Sequence, residues 1–367
     1  ANGEAGWEAA GGGGASDIDG LSDAITNSSG ITIGLGTNCL VNDDGSSNRN
    51  TGLGYATLQS ITTGSNNVGI GYRAGHNLTT AIDSVVIGHE AAETATTASG
   101  YDVIIGSKAA KQCSNHDEAV VIGWGAANSA ADASSCVLIG TQAGFTHGGS
   151  YNVAIGKEAL YGVASNAVSH SNVALGYESM KSAKNGATGN TGIGALTLTF
   201  VDGGDYNTAL GYDSGDSITT GSNNSCFGNG ADASSATVSN EVTLGNSSIS
   251  SLRCQAQSIS SLSDRRDKKD IEELPLGVDF INTLKPVKFT WNMRDGAKVG
   301  QQEAGFIAQD LDEAQIDADA EDYLSLVLKN NPEKLEASYG KLVPVLVKAV
   351  QELSAEIKNL KKEIENG

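Results

Sequence analysis

A short apolar pattern recurs along the first two thirds of the chain. Each copy places Ile, Leu or Phe directly before a glycine, with Val, Ile, Thr or Ser two residues earlier. Alternation with a period of two predicts a short β-strand that has one face buried. The steps between copies are 16 to 20 residues, and the glycines stand at Gly34, Gly54, Gly71, Gly88, Gly106, Gly123, Gly140, Gly156, Gly176, Gly194, Gly211, Gly228 and Gly245.

A small residue follows each of these glycines at a fixed distance. Ala, Ser or Thr stands three residues later in every copy, which predicts a second strand with a small inward side chain. Self-similarity at a fixed period, with one strand pair per turn, is typical of a solenoid in which each turn stacks on its neighbours. A turn of about seventeen residues encloses little apolar volume, so we expect several such coils to associate.

Asparagine begins the strand in seven copies. We interpret these residues as turn formers, because Asn tolerates a left-handed backbone and bonds within tight turns, while the glycine after the strand takes a positive φ. The seven are Asn50, Asn67, Asn152, Asn172, Asn190, Asn207 and Asn224.

The repeats resemble a known kind of sequence. The segments NNVGIGYRAG, YNVAIGKEAL, SNVALGYESM and YNTALGYDSG are similar to the head repeats of trimeric adhesins, which occur in bacterial autotransporters and phage tail fibres. The resemblance covers residues 31–249. It implies a mainly β fold, a trimeric β-solenoid of β-roll or β-helix type, following an N-terminal connector at 1–30.

Composition changes sharply at Ser263. Residues 1–262 contain 8 basic and 22 acidic residues, 41 of the 47 glycines and no proline, whereas 263–367 contain 15 basic and 21 acidic residues. Both parts are acidic, which argues against a nucleic-acid partner. No apolar run of 18 residues is present, so we expect no membrane insertion. Two physically different regions are therefore joined through a linker at 250–262.

The cysteines and histidines do not predict a metal site or any cofactor. The five cysteines are odd in number and have no CxxC spacing, so we interpret them as reduced, packed side chains. The five histidines fall in predicted turns at no common phase, at His76, His89, His116, His147 and His170. A single histidine ring on a threefold axis stays open as an alternative.

Four segments occur in order in residues 263–367: SDRRDKKDI, LKPVKFTWN, EAGFIAQDL and the terminal YGKLVPVLVKAVQELSAEIKNLKKEI. Together they resemble the C-terminal intramolecular chaperone of phage tail fibres, tailspikes and endosialidases. In that family the domain drives trimerisation and then cuts itself off before a serine. Through the pattern SDxRxK, the resemblance implies catalytic Ser263 and Lys268, supporting Asp264 and Arg266, and cleavage between Leu262 and Ser263.

The chemistry of this pair sets a structural requirement. A serine hydroxyl is a weak nucleophile, and a lysine activates it only as the neutral amine. A separation of five residues puts the two side chains on opposite faces of a strand and about 140° apart on a helix. We therefore expect either a turn or a lysine from another subunit. Asp267 would favour the charged lysine, and the alternative role for Ser263 and Asp264 is a helix N-cap.

The end of the chain predicts a coiled-coil helix over 341–365. Apolar residues recur at alternating steps of three and four residues, at Val343, Leu346, Val350, Leu353, Ile357, Leu360 and Ile364. β-Branched residues at a with leucine at d favour two strands by themselves, whereas the resemblance implies three. Glu356 and Lys361 occupy positions where an interhelical pair would set alignment. The alternative is a surface helix that packs on its own domain.

Receptor-binding candidates lie in the repeats. The two longest steps predict insertions at 37–50 and around 161–170, and loops commonly carry function. Tyr55, Tyr72, Tyr177 and Tyr212 each follow a repeat glycine, so they should align on one face. Such a row binds sugars in some proteins and is cross-turn packing in others.

These observations predict a homotrimeric phage tail fibre. It would be made in the bacterial host cytoplasm, bind a host-surface receptor, in our interpretation a glycan, and process itself once with a Ser/Lys pair. Two alternatives stay open, a glycan-depolymerising tailspike and a bacterial trimeric surface adhesin.

Overall fold

The computed structural model describes residues 24–26, 32–45, 48–95, 100–162, 169–255 and 259–366. Contacts divide the chain into two compact units, Ala1–Asn246 and Ser247–Gly367. The predicted connector at 1–30, apart from 24–26, lies outside the described residues, as do residues 46–47 and 163–168 of the two predicted insertions.

The first unit is a parallel β-solenoid, as the repeat predicts. Strand β1 (Ala24–Thr26) pairs antiparallel with β2, and every later strand pairs in parallel with the next one in sequence. The other strands are β2 (Ile33–Leu35), β3 (Thr51–Leu53), β4 (Val68–Ile70), β5 (Val85–Ile87), β6 (Val103–Ile105), β7 (Val120–Ile122), β8 (Val137–Ile139), β9 (Val153–Ile155), β10 (Val173–Leu175), β11 (Thr191–Ile193), β12 (Thr208–Leu210), β13 (Ser225–Phe227) and β14 (Val242–Leu244).

Each coil has one strand, and the predicted second strand is wrong. After the glycine the chain enters a turn in which the second and fourth residues have positive φ, such as Arg73 (55°) and Gly75 (61°). An alternation of left- and right-handed residues coils the backbone and leaves no extended segment. The small residue between them, Ala74 in this coil, is fully buried. The pattern correctly identified a small inward side chain but not its backbone conformation.

The glycine that ends each strand allows two coils to approach closely. From Gly54 to Gly228 these residues have φ of 123–139°, and a Cβ on Gly106 would lie 2.5 Å from the carbonyl oxygen of Gly123. The first such residue is Gly36 (φ 128°), which stacks on Gly54, and not Gly34, which lies within β2. The first step is therefore 18 residues rather than 20, so the predicted insertion at 37–50 shrinks to one residue.

The asparagines at the strand starts form a buried ladder. Asn190 Oδ1 accepts the backbone N–H of Asn207 at 2.9 Å, and Asn190 Nδ2 donates to the carbonyl of Gly204 at 2.9 Å. None of the seven has a positive φ, so their predicted role as left-handed turn formers is wrong. The left-handed residue is the one before, such as Asn66 or Tyr206. Each coil adds three hydrogen bonds to the ladder, which pair the Asn side-chain amides with buried backbone groups and with one another. Asn recurs because its amide both donates and accepts.

The three-residue strands β2 to β13 each bury their middle residue and leave their first and third residues on the outer face of the sheet. In β10 the middle residue Ala174 is fully buried, whereas Leu175 is 40% exposed. The repeated Ile, Leu and Phe residues therefore form a column along the outer face of the sheet, which we call the outer apolar column: Leu35, Leu53, Ile70, Ile87, Ile105, Ile122, Ile139, Ile155, Leu175, Ile193, Leu210, Phe227 and Leu244. Small residues fill the interior because one coil encloses little space.

The second unit is a small α+β region. A 3₁₀ turn (Arg265–Asp267) is followed by α1 (Val278–Thr283), the antiparallel pair β15 (Val287–Thr290) and β16 (Gln302–Gly305), α2 (Ala308–Asp317), α3 (Glu321–Leu324), the antiparallel pair β17 (Val327–Leu328) and β18 (Glu336–Ala337), a 3₁₀ turn (Tyr339–Leu342) and α4 (Val343–Asn366). Its core is small and centres on Phe280, Leu311, Leu326 and Val345.

Helix α4 uses one face within its unit and leaves the heptad positions exposed. Val345 and Ala349 are buried, and Glu352 accepts the backbone N–H of Val278 at 2.8 Å. The predicted seam lies on another face, where Val343, Leu346, Val350, Leu353, Ile357, Leu360 and Ile364 are 44–80% exposed. Packing on its own unit therefore does not account for the seam. Within the described residues, no helix is both long and apolar enough to cross a membrane.

Candidate functional site

The predicted Ser/Lys pair lies on a single 3₁₀ turn, Arg265–Asp267. Asp264 begins the turn and its side chain accepts the backbone N–H of Arg266 at 2.8 Å. The turn ends at Lys268, whose backbone N–H donates to the carbonyl of Arg265 at 3.2 Å. The N-cap of this turn is thus Asp264, and Ser263 precedes it. A turn of this kind satisfies the requirement set by the five-residue separation.

Asp264 and Arg266 hold the turn in shape. The guanidinium of Arg266 donates through Nε and Nη2 to the carboxylate of Asp264, the shortest distance being 2.7 Å. This hydrogen bonding lowers the pKa of the Asp264 carboxyl and raises that of Arg266. Both side chains are at the surface, so the pair orients the turn rather than stabilising the fold. The two supporting residues of the SDxRxK pattern therefore act on backbone geometry.

The two predicted catalytic side chains touch. Lys268 Nζ donates to Ser263 Oγ at 2.6 Å, within the range expected for a nucleophile and its base. In this hydrogen bond the hydroxyl oxygen of Ser263 is the acceptor. Activation requires proton transfer from the hydroxyl to a neutral amine. The contact distance and residue types of a Ser/Lys dyad are therefore present in the single chain.

The site is open to solvent in the single chain. Ser263 and Lys268 are exposed, and Leu262, on the other side of the predicted cleaved bond, is 93% exposed. Among the described residues no ion pair joins Asp267 to Lys268. A single chain therefore leaves both side chains of the pair uncovered.

The four predicted tyrosines lie in one column on the solenoid. The residue after each glycine is aligned by a backbone bond from the next coil, whose second residue after the glycine donates to it, such as Arg73 N–H to Tyr55 O. Tyr55 stacks on Tyr72 with centroids 5.4 Å apart, and Lys157 lies 5.7 Å from the ring centroid of Tyr177. Tyr55 and Tyr72 thus cover each other's faces, as cross-turn packing does.

Two further aromatic residues of this column were missed. His89 stacks on Tyr72 at 5.2 Å, and Trp124 is 51% exposed. Both stand one residue after a repeat glycine, so the same rule would have found them if it had not been restricted to tyrosine.

Buried histidines and cysteines have structural partners. His116 Nδ1 lies 3.0 Å from Asp102 Oδ2 inside the solenoid, and His147 Nε2 donates to the carbonyl of Ser169 at 3.3 Å. Burial raises the pKa of the Cys39 and Cys136 thiols to about 11. No group of three or more candidate ligands for a metal occurs among the described residues.

Comparison with known proteins identifies one region. A family model described as chaperone of endosialidase, of the peptidase S74 class, matches residues 263–320. The match begins at Ser263 and includes the turn and Lys268. No curated protein and no solved structure matches the chain significantly.

Proposed function

We propose that this chain is part of a homotrimeric phage tail fibre. In this proposal residues 263–367 act as an intramolecular chaperone that promotes trimer formation and then releases itself by cleaving the bond between Leu262 and Ser263. The observation that carries the proposal is the coincidence of two findings: the chaperone match begins at Ser263, and Lys268 Nζ lies 2.6 Å from Ser263 Oγ.

The proposed cleavage needs no cofactor. Neutral Lys268 takes the proton of the Ser263 hydroxyl, and Oγ attacks the carbonyl carbon of Leu262. The Oγ–C bond forms, the C–N bond breaks, and the released amine of Ser263 takes a proton. Water then hydrolyses the ester, leaving a carboxylate on Leu262 and the original hydroxyl on Ser263. The step occurs once per chain, because the substrate is the chain itself.

Trimer formation would change the environment of the pair. Neighbouring chains that cover the turn would exclude water from Lys268 and favour the neutral amine. The unassembled chain would then hold the dyad in shape but leave it inactive. This arrangement makes cleavage a report of correct assembly.

Two exposed apolar surfaces support assembly. The outer apolar column runs along the solenoid, and its residues such as Leu53 (48% exposed) and Leu210 (47% exposed) lie on a face that is exposed in the single chain. Extended exposed apolar surface is typical of protein interfaces. The heptad positions of α4 form the second surface. Three copies of this chain would bury both.

The cleavage is tested on denaturing gels. Purified full-length chain should separate into fragments that end at Leu262 and begin at Ser263, while Ser263→Ala and Lys268→Ala stay intact. Ser261→Ala is the matched control, two residues before the nucleophile, and should be cut. Intact wild type, or a cut in Ser263→Ala, would refute self-cleavage by this pair.

Receptor binding is the remaining part of the proposal. Exposed aromatic residues on the solenoid, together with net charge −20, favour a ligand without a polyphosphate backbone, and we propose a glycan of the host surface. Labelled fibre should adsorb to its host and lose adsorption when the host glycan is stripped. The virion tail is the corresponding location.

A group of carboxylates favours one second candidate, a glycan depolymerase. Burial raises the pKa of Asp216 and Asp232, and Asp213 adds to both shifts through its charge. Glycoside hydrolysis uses a pair of carboxyl groups, one of which has a raised pKa. Release of reducing ends from a bound polysaccharide by wild type, and not by Asp232→Asn, would favour this function over binding alone.

A further inference from the structure

The column that follows the repeat glycines is an interrupted aromatic stack. We call it the glycine-plus-one column. From the first coil to the last its residues are Thr37, Tyr55, Tyr72, His89, Ser107, Trp124, Thr141, Lys157, Tyr177, Ala195, Tyr212, Asn229 and Asn246. Tyr55, Tyr72 and His89 form a continuous stack, with interplanar angles of 11° and 15°. Elsewhere the aromatic rings are separated by smaller side chains.

Two places in this column share one arrangement. A small residue, Ser107 or Ala195, stands between aromatic residues of the coils on either side. The first place lies between His89 and Trp124, and the second between Tyr177 and Tyr212. We call them the Ser107 slot and the Ala195 slot.

The first wall of each slot is already covered on its far side. His89 is stacked on Tyr72, so its other face is turned towards the coil of Ser107. Lys157 lies 5.7 Å from the centroid of Tyr177, so the opposite face of that ring is turned towards the coil of Ala195. The second walls, Trp124 and Tyr212, are 51% and 55% exposed. Both slots therefore open to solvent between aromatic residues.

The coil spacing fixes the width of the slots. Neighbouring strands lie about 4.8 Å apart, so walls two coils apart are separated by about 9.6 Å. The same protein shows what this width accepts, because the ring of Tyr72 lies between Tyr55 and His89 at 5.4 and 5.2 Å. One six-membered ring therefore fits each slot, with an apolar contact on both faces.

Chemistry selects among guests that carry such a ring. A nucleobase would bring phosphates to a chain of net charge −20, which is unfavourable. A pyranose offers C–H groups to the aromatic walls and keeps its hydroxyl rim in water at the open edge. Charged side chains stand beside the slots, Glu90 and Lys108 at the Ser107 slot and Glu178 at the Ala195 slot, and can bond that rim.

We propose that the Ser107 and Ala195 slots each bind one pyranose ring of a single polysaccharide, an inference that rests on the proposed glycan receptor. The two slots lie five coils apart, or about 24 Å along the solenoid. A polysaccharide that spans this distance occupies both slots and gains affinity from their linkage, whereas its isolated repeat unit occupies one at a time.

The test closes a slot without removing a wall. Ala195→Tyr and Ser107→Tyr each insert a ring where the Tyr55–Tyr72–His89 stack shows that one fits. Binding is measured to an array of bacterial polysaccharides and then, for each one bound, to that polysaccharide and its repeat unit by calorimetry. We expect each substitution to weaken polysaccharide binding about 100-fold and to bring it close to the affinity for the repeat unit.

Asn229→Tyr is the matched control. It adds a tyrosine to the same column beyond Tyr212 and leaves both slots open, so its affinity should equal that of wild type. Tyr212→Ala opens a wall instead and should weaken binding as Ala195→Tyr does, which separates slot loss from misfolding. Unchanged polysaccharide affinity in Ala195→Tyr would overturn the slots and leave the proposed glycan receptor intact. An equal loss of affinity in Asn229→Tyr, or slots that bind free indole but no sugar, would do the same. Wild type that binds no glycan would overturn both proposals.

Discussion

The two units of this chain obtain order in different ways. In the solenoid each coil copies the last one: a buried small residue, a glycine with positive φ and an asparagine amide recur at the same positions. The C-terminal unit has no repeat, a core of ten buried apolar residues and a 24-residue helix whose heptad positions are exposed. One unit specifies neighbours within the chain, and the other leaves its most regular apolar surface exposed.

This difference assigns the two units different tasks in assembly. A solenoid of nearest-neighbour contacts propagates easily but does not by itself determine how many chains align or in which register. A heptad seam does determine both. In the proposed function, the chaperone would supply the information that the repeat lacks and would become dispensable once the coils are stacked.

The largest expected effect is on the seam. Ile357→Asp puts a charge at position a of the heptad, so we expect complete loss of the trimer, measured by sedimentation of the full-length chain. Asn359→Asp carries the same charge two residues away at position c and should remain trimeric. If Ile357→Asp were still a trimer, the heptad seam of α4 would not be needed for assembly.

A glycine in each unit gives the next comparison. Gly123 has φ of 137° and a Cβ there would lie 2.4 Å from the carbonyl oxygen of Gly140, whereas a Cβ on Gly340 meets nothing within 4 Å. Gly123→Ala should lower the free energy of unfolding by about 4 kcal/mol through strain and clash. Gly340→Ala should change it by less than about 0.5 kcal/mol. Equal melting temperatures for the two variants would contradict the role of the glycine stack.

Asparagines offer a smaller contrast of the same kind. Asn190→Ala leaves the Asn207 N–H and the Gly204 carbonyl without their side-chain partners, so we expect a loss of about 3 kcal/mol in urea unfolding. Asn359→Ala on the exposed face of α4 should be nearly neutral. If Asn190→Ala were as stable as Asn359→Ala, the ladder would be incidental.

The smallest effect concerns pH. Burial lowers the pKa of His147 to about 4, while residues 263–367 contain no histidine. The unfolded chain takes up a proton near pH 6.5 and the folded chain only near pH 4, so stability falls as pH decreases through this window, by about 3 kcal/mol at most. His147→Asn should flatten that part of the pH profile of thermal unfolding, and His76→Asn should not.

Much of the solenoid follows from the sequence, because strand positions and the period depend on residues that recur. The sequence does not show which face of each strand is inner and which is outer. An alternating Val-x-Ile pattern is the same whether its Val and Ile side chains point inward or outward. The small volume inside a coil decides that Ala174 is buried while Leu175 is exposed. Gly34 was mistaken for Gly36 because both follow an apolar residue. Only strand pairing distinguishes them.

The sequence predicted which residues form the candidate site, and their catalytic role stays a prediction. The SDxRxK resemblance identified Ser263 and Lys268, and the separation of five required a turn. The Asp264–Arg266 fork that shapes this turn has no recurring pattern from which geometry could be deduced. Trp124 and His89 were missed because the rule was restricted to tyrosine, although both stand one residue after a repeat glycine.

The central claim is that the dyad is shaped in one chain but works only in the assembled trimer. The direct measurement is a time course of cleavage by intact-mass spectrometry, after refolding wild type and Ile357→Asp over a range of concentrations. The account predicts two fragments, residues 1–262 and residues 263–367. The rate of cleavage in wild type should rise with protein concentration, and Ile357→Asp should not be cleaved. Cleavage of Ile357→Asp at the wild-type rate, or a rate independent of concentration, would contradict it.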